Sequence, residues 1–173
     1  MRQALKLHPE SRRAAVTRID VAVKRTGPQT LALHYAVTGR IGDLRIPRPL
    51  VSARADRLWE HTCFEAFLAS PEAGYTEFNF SPSAQWAAYR FDAYRAGMRQ
   101  VDTAAPRIDT RQEGDCFTLT ATFALPSDAA GRLGLSAVIE ETDGNKSYWA
   151  LAHPPGRADF HHADGFRLEL PKD

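Results

Sequence analysis

Short runs of alternating apolar and polar residues dominate the chain. Ile19, Val21 and Val23 alternate with Asp20 and Ala22, and Leu31, Leu33, Tyr35 and Val37 follow after the turn signal Gly27-Pro28. The pattern recurs over residues 58–68, 75–80, 86–91, 117–123, 135–141, 148–151 and 166–170. A period of two sends successive side chains to opposite faces, and the Pro, Gly, Asp and Ser clusters between the runs read as turns. About nine or ten such strands predict an all-β fold, an antiparallel β-sandwich with jelly-roll-like order, rather than a parallel α/β sheet. Helical periodicity is scarce, with residues 127–133 expected to give one or two turns. Residues 40–57, with Pro47 and Pro49, and residues 100–110 read as loops. No repeat, low-complexity tract or composition break divides the chain, so residues 1–173 are expected to form one domain.

The run LWEHTCFEAFL, residues 58–68, poses the functional question. It reads as a buried strand, yet it carries Glu60, His61 and Glu65. Alternation puts Leu58, Glu60, Thr62, Phe64, Ala66 and Leu68 on one face and Trp59, His61, Cys63, Glu65 and Phe67 on the other. The next run, YTEFNF, separates Thr76, Phe78 and Phe80 from Tyr75, Glu77 and Asn79. In QWAAYRF, Trp86, Ala88 and Arg90 oppose Ala87, Tyr89 and Phe91. Short links at 70–74 and 81–84 make the three runs consecutive hairpins. One concave, half-covered face is therefore expected to gather Trp59, His61, Glu65, Glu77, Asn79, Trp86, Arg90 and Asp92. Flat aromatics beside carboxylates, an amide and a guanidinium suit a polyhydroxylated ligand, with C–H faces that stack and hydroxyls that need charged partners. An internal ion pair of Arg90 with Glu65 or Glu77 is the alternative for those charges.

Composition narrows the classes. Lys and Arg total 22 against 21 Asp and Glu, so a net charge of +1 argues against a nucleic-acid binder. No apolar run reaches the about 18 residues that span a bilayer, and the first residues lack the apolar stretch of a secretory signal. A cytoplasmic protein is expected, with Cys63 and Cys116 as free thiols. His153, His161 and His162 with Asp159 and Asp164 are weak candidates for a metal site; hydrogen-bonded loop histidines are the simpler expectation. Glu65 and Glu77 also raise a glycoside-acting enzyme as an alternative, since such enzymes work with two carboxyl groups flanking the scissile bond. Nucleophile-elbow, P-loop and dinucleotide-binding motifs are absent from the sequence.

The stretches LWEHTCFEAFL, GYTEFNFSPSAQWAAYRFDAYRAGM and YWALAHPPGRADFHHADGFRLELP resemble a bacterial DOMON-like family. The resemblance runs from about residue 45 to the end. That family is grouped with β-sandwiches that include family 9 carbohydrate-binding modules and the cytochrome domains of some dehydrogenases. The resemblance implies a non-catalytic domain binding a small ligand, a saccharide or a cell-wall-derived sugar. Family 9 modules clamp a terminal sugar between two Trp side chains, with carboxylates and an Arg on the hydroxyls. Trp59, five residues, then Glu65 resembles that pattern; Trp149 is the expected second clamp and Trp86 its competitor. Haem in this superfamily is held by a Met and usually a His. Met98 lies outside the early position of that Met and is expected to fill a gap, so no cofactor is expected and haem stands as an alternative.

Overall fold

The computed structural model describes residues 1–171 apart from 13, 128 and 130. Among the described residues thirteen strands run in chain order: β1 (Arg2–Leu7), β2 (Val16–Gly27), β3 (Thr30–Gly39), β4 (Ala53–Arg54), β5 (Cys63–Ala69), β6 (Tyr75–Phe80) and β7 (Gln85–Phe91). There follow β8 (Arg99–Gln100), β9 (Arg107–Glu113), β10 (Cys116–Ala124), β11 (Arg132–Glu140), β12 (Lys146–Ala150) and β13 (Leu168–Glu169). The helical elements among the described residues are three 3₁₀ turns, Ile41–Asp43, Leu58–Glu60 and Ala163–Gly165. None is long and apolar enough to cross a membrane.

Sheet I has the order β1-β2-β3-β10-β9, and sheet II the order β4-β7-β6-β5-β11-β12-β1. Strand β1 belongs to both. Its residues Arg2 to Leu5 pair with β2, and Lys6 and Leu7 cross over to pair with β12. The pairing is antiparallel apart from the short β4–β7 contact. The fold is the expected β-sandwich.

The core lies between the sheets. Strand β10 shows how the sequence builds it: Phe117, Leu119, Ala121 and Phe123 point inward, while Thr118, Thr120 and Thr122 point out. Strands β2 and β3 bring Ile19, Val21, Val23, Leu31, Leu33 and Tyr35 to the same layer. Sheet II answers with Phe64, Ala66, Leu68, Phe78, Phe80, Leu133 and Leu135. The Tyr35 hydroxyl crosses the layer and donates to the Glu65 carbonyl over 2.8 Å, which holds β5 against sheet I.

Strand β6 is buried at every residue, and β5 at every residue but its last. Their outer face is therefore covered as well. A second apolar cluster, Phe67, Tyr75, Ala87, Tyr89, Phe91 and Phe166, sits on that outer face, with Leu58 and Phe160 packed against it. Two glycines shape it. Gly74 has φ +75°, and a Cβ there would lie 2.0 Å from the Phe91 carbonyl oxygen. Gly134 on β11 leaves the space that the Phe166 ring occupies, 2.6 Å from where a Cβ would be.

Several sequence expectations change. The run 58–68 is not one strand: residues 58–60 form a 3₁₀ turn with Arg57 in the left-handed region at φ 61°, and β5 begins at Cys63. Glu60 is held by Arg57 in that turn, and His61 pairs with Glu140 over 2.7 Å. Residues 107–113, partly read as loop, form the edge strand β9, whose polar alternation hid it. Strand β1 was also not expected. The helical expectation at 127–133 falls partly on residues 128 and 130, outside those described, and Arg132 already belongs to β11.

Candidate ligand-binding site

The outer face of sheet II carries the candidate site. Register sets its membership. Glu65 pairs with Asn79 and Ser136, Phe67 pairs with Glu77, and Glu77 pairs with Tyr89. Across β11–β12, Val138 pairs with Tyr148. These side chains share one face, because residues directly opposite in a ladder point the same way. A pocket of about 430 Å³ opens there, a size that suits a small ligand. Glu65, Glu77 and Val138 come from the sheet beneath it, and Tyr148 flanks them on β12. Trp59 reaches in from the Leu58–Glu60 turn. Phe160 and His161 approach from the segment after β12, Arg95 and Met98 from the segment between β7 and β8.

Burial governs the electrostatics. Glu65 is 3% exposed and Glu77 4%. The Ser136 hydroxyl donates to Oε2 of Glu65 over 3.0 Å, and the Asn79 amide donates to Oε1 of Glu77 over 2.9 Å. Loss of solvation, and then the neighbouring Glu77, push Glu65 up to about 8. Loss of solvation pushes Glu77 up to about 7, against the opposing effects of Asn79 and Arg95. The two acids titrate as a pair, and near neutrality the pair holds protons.

His161 faces this pair. Its Nδ1 lies 2.7 Å from the Tyr75 hydroxyl, and its Nε2 lies 3.8 Å from Oε2 of Glu77. Burial, then Arg95, lower its pKa to about 4, so the imidazole is neutral at neutral pH and gives Glu77 no counter-charge. Tyr75 accepts from the Arg95 backbone N–H over 3.2 Å; with its hydroxyl proton directed to Nδ1, the ring proton falls on Nε2, toward Glu77. The Arg95 guanidinium donates to Asp159 over 2.9 Å. Burial would raise Asp159, but Tyr94 and Arg95 more than offset this and keep it low.

The pocket thus unites Trp59, Glu65, Glu77 and His161. Asn79 shares the face and holds Glu77. Trp86 and Arg90 do not join them, which corrects the predicted face. Phe80 pairs with Trp86 and Phe78 with Ala88, so even-numbered residues of β7 share the core face of β6. Trp86 is buried in the core with the Arg54 guanidinium 4.2 Å from its ring centroid. Arg90 reaches Ser70 and the Ala73 carbonyl at the sheet end. Trp149 is also a core residue, opposite Ala137, with its indole N–H donated to Ser147 over 3.0 Å. The alternative of an ion pair between Arg90 and Glu65 or Glu77 is not favoured by this register, since Glu77 pairs with Tyr89 and Arg90 lies on the other face of β7.

The neighbour of Trp149, Tyr148, supplies the aromatic group instead. Both residues of the Tyr148-Trp149 pair fit a strand, and only pairing decides which faces out. Arg95 was legible only as a charge in a turn. His153 donates its Nε2–H to the Lys6 carbonyl over 2.8 Å, and His162 Nδ1 accepts from the Asp164 N–H over 3.2 Å. Among the described residues no three of His, Cys, Asp and Glu converge as a metal site requires. Met98 and His161 line the same pocket, but Tyr75 occupies one imidazole nitrogen and Glu77 faces the other, a poor fit for an axial haem pair.

No family model matches the sequence, and no curated protein matches it. Solved structures do share its fold. A proposed carbohydrate-binding protein from Bacteroides uniformis ATCC 8492 aligns with a TM-score of 0.69 at 14% identity, over 96% of this chain and 84% of that one. A family 9 carbohydrate-binding module from Caldicellulosiruptor kristjanssonii, in complex with cellotriose, aligns with a TM-score of 0.53 at 10% identity, over 90% and 74%. The chain has the sandwich fold of such modules.

Proposed function

We propose that the protein is a non-catalytic domain that binds a saccharide in the pocket beside Trp59 and Tyr148, above Glu65 and Glu77. The observation that carries this reading is the position of Trp59. It is 38% exposed at a pocket with two buried acids, while Trp86 and Trp149 are 4% and 3% exposed. An exposed ring offers an apolar plane to the C–H face of a sugar. Carboxyl groups that hold protons near neutrality both donate to and accept from hydroxyls. The sandwich neighbours and the resemblance to DOMON-like domains support the same class of ligand. Two free thiols, Cys63 and Cys116, fit a reducing compartment such as the cytoplasm.

Binding fits the carboxyl pair better than hydrolysis does. A glycosidase needs one acid kept protonated and a second carboxylate kept ionised as base or nucleophile. Here burial raises both Glu65 and Glu77.

Tryptophan fluorescence titrated with mono- and disaccharides tests the reading. A saturable change that disappears in Trp59→Ala is expected. A response to none of the sugars would remove the proposal.

A further inference from the structure

We propose that the saccharide carries a free amine, and that its ammonium group sits between the Glu65 and Glu77 carboxyls. This rests on the saccharide reading above and adds the charge of the ligand. The geometry comes first. Both side chains lie on the pocket floor and are more than nine-tenths buried. Each has one oxygen engaged, Oε2 of Glu65 by Ser136 and Oε1 of Glu77 by Asn79. Among the described residues, Oε1 of Glu65 and Oε2 of Glu77 accept no hydrogen bond. The diagonal placement of the two residues on adjacent strands puts their Cβ atoms about 7 Å apart, close enough for one small donor group to bridge the carboxyls.

Charge then separates an amine from a hydroxyl. The protein's own cations are already committed. Arg95 lines the pocket but is paired with Asp159. His161 faces Glu77 with a neutral ring and gives its Nδ1 to Tyr75. The Cys63 thiol and the Tyr75, Tyr89 and Tyr148 phenols of this face can supply no positive charge. Two acids therefore share a floor, and the Arg95 charge that acts on Glu77 is already paired with Asp159. A ligand ammonium would supply three donors and the missing charge, and would let the acids ionise. The rings of Trp59, Tyr148 and Phe160 around it offer negative faces that also favour a cation.

The test compares glucosamine, N-acetylglucosamine and glucose as probes, read by Trp59 fluorescence at about pH 6.5, where the carboxyls still hold protons and the sugar amine is charged. Glucosamine is expected to bind at least about tenfold more tightly than either neutral sugar. Calorimetry in two buffers of different ionisation heat should show proton release with glucosamine and none with glucose. In Glu65→Gln with Glu77→Gln, the preference for glucosamine should collapse to within about threefold. Equal binding of all three sugars to the unmodified protein would overturn the amine inference and leave the saccharide reading standing. A glucosamine preference that survives the double substitution would also overturn it, since the ammonium would then sit elsewhere. A response to none of the sugars would remove the saccharide reading, and this inference with it.

Discussion

The Asn79 amide donates to Oε1 of Glu77 over 2.9 Å, while Asn79 itself lies directly across the ladder from Glu65. One neutral side chain thus stands beside both buried acids. Its bond to Glu77 favours the ionised form, which opposes the effect of burial. Asn79→Leu should raise the Glu77 pKa further and cost about 1–3 kcal/mol, because a buried acceptor loses its donor. Carboxyl carbon chemical shifts followed against pH, together with urea unfolding, check both parts. An unchanged Glu77 titration would show that the bond has no electrostatic effect.

The acid pair sets the pH dependence of stability. Glu65 and Glu77 are raised in the folded state to about 8 and about 7 from an ordinary 4.5. The folded protein then holds protons that the unfolded chain has lost. The contribution of the acids is full below their unfolded pKa and is lost from there up to the folded values, at about 1.4 kcal/mol per pH unit for each proton. His161 acts in the other direction. Lowered to about 4 from 6.5, it weakens the folded state as pH falls through that interval and softens the acid side of the profile. The loss is therefore expected to be steepest between about pH 6.5 and 7, where both acids contribute and His161 no longer opposes them, and to end above about pH 8; Glu65→Gln should flatten it. Chemical unfolding at a series of pH values measures the slope.

Trp59 and Trp149 should respond oppositely to truncation. Trp59→Ala removes a half-exposed ring that meets Tyr89 edge-on at 6.3 Å, and should lower stability by about 1 kcal/mol or less. It should weaken sugar binding by about tenfold or more. Trp149→Ala empties a core position and should cost about 3–5 kcal/mol. Parallel melting and titration experiments distinguish the roles. Comparable losses of stability in both variants would make Trp59 a packing residue.

The two arginines test the corrected face. Arg95 lines the pocket, whereas Arg90 lies on the opposite parity of β7 and bonds to Ser70 and Ala73. Arg95→Ala should change sugar affinity by about threefold or more, and Arg90→Ala by less than about twofold. An affinity loss confined to Arg90→Ala would contradict the placement.

Gly134 reaches the site through packing alone. A methyl there would lie 2.6 Å from the Phe166 ring, which stacks on Phe67 at 5.8 Å. Phe67 in turn packs edge-on against His161 at 5.3 Å. Gly134→Ala should cost about 1–3 kcal/mol through overpacking and should weaken the ligand as well, as melting and titration of the variant would show.

The sequence by itself determined most of the longer strands and many of the inward partners of the core. Phe117, Leu119 and Phe123 had to share a face, as did Phe64, Ala66 and Leu68, because a strand alternates with period two. It also marked Glu65 and Glu77 as unusual, since charges recur in runs otherwise apolar on both sides. Tertiary structure decided which residues meet them. The 81–84 turn pairs Phe80 with Trp86, so odd residues of β6 face odd residues of β7, and Trp86 and Arg90 turn to the core side. Pairing of β12 with β11 sends Trp149 inward and Tyr148 to the pocket. Arg95, Phe160 and His161 arrive from segments distant in sequence, whose course is set by packing on Phe67 and Phe91 rather than by any local period. Alternation is a property of one strand, but a site is a property of register and of the loops that cover the sheet.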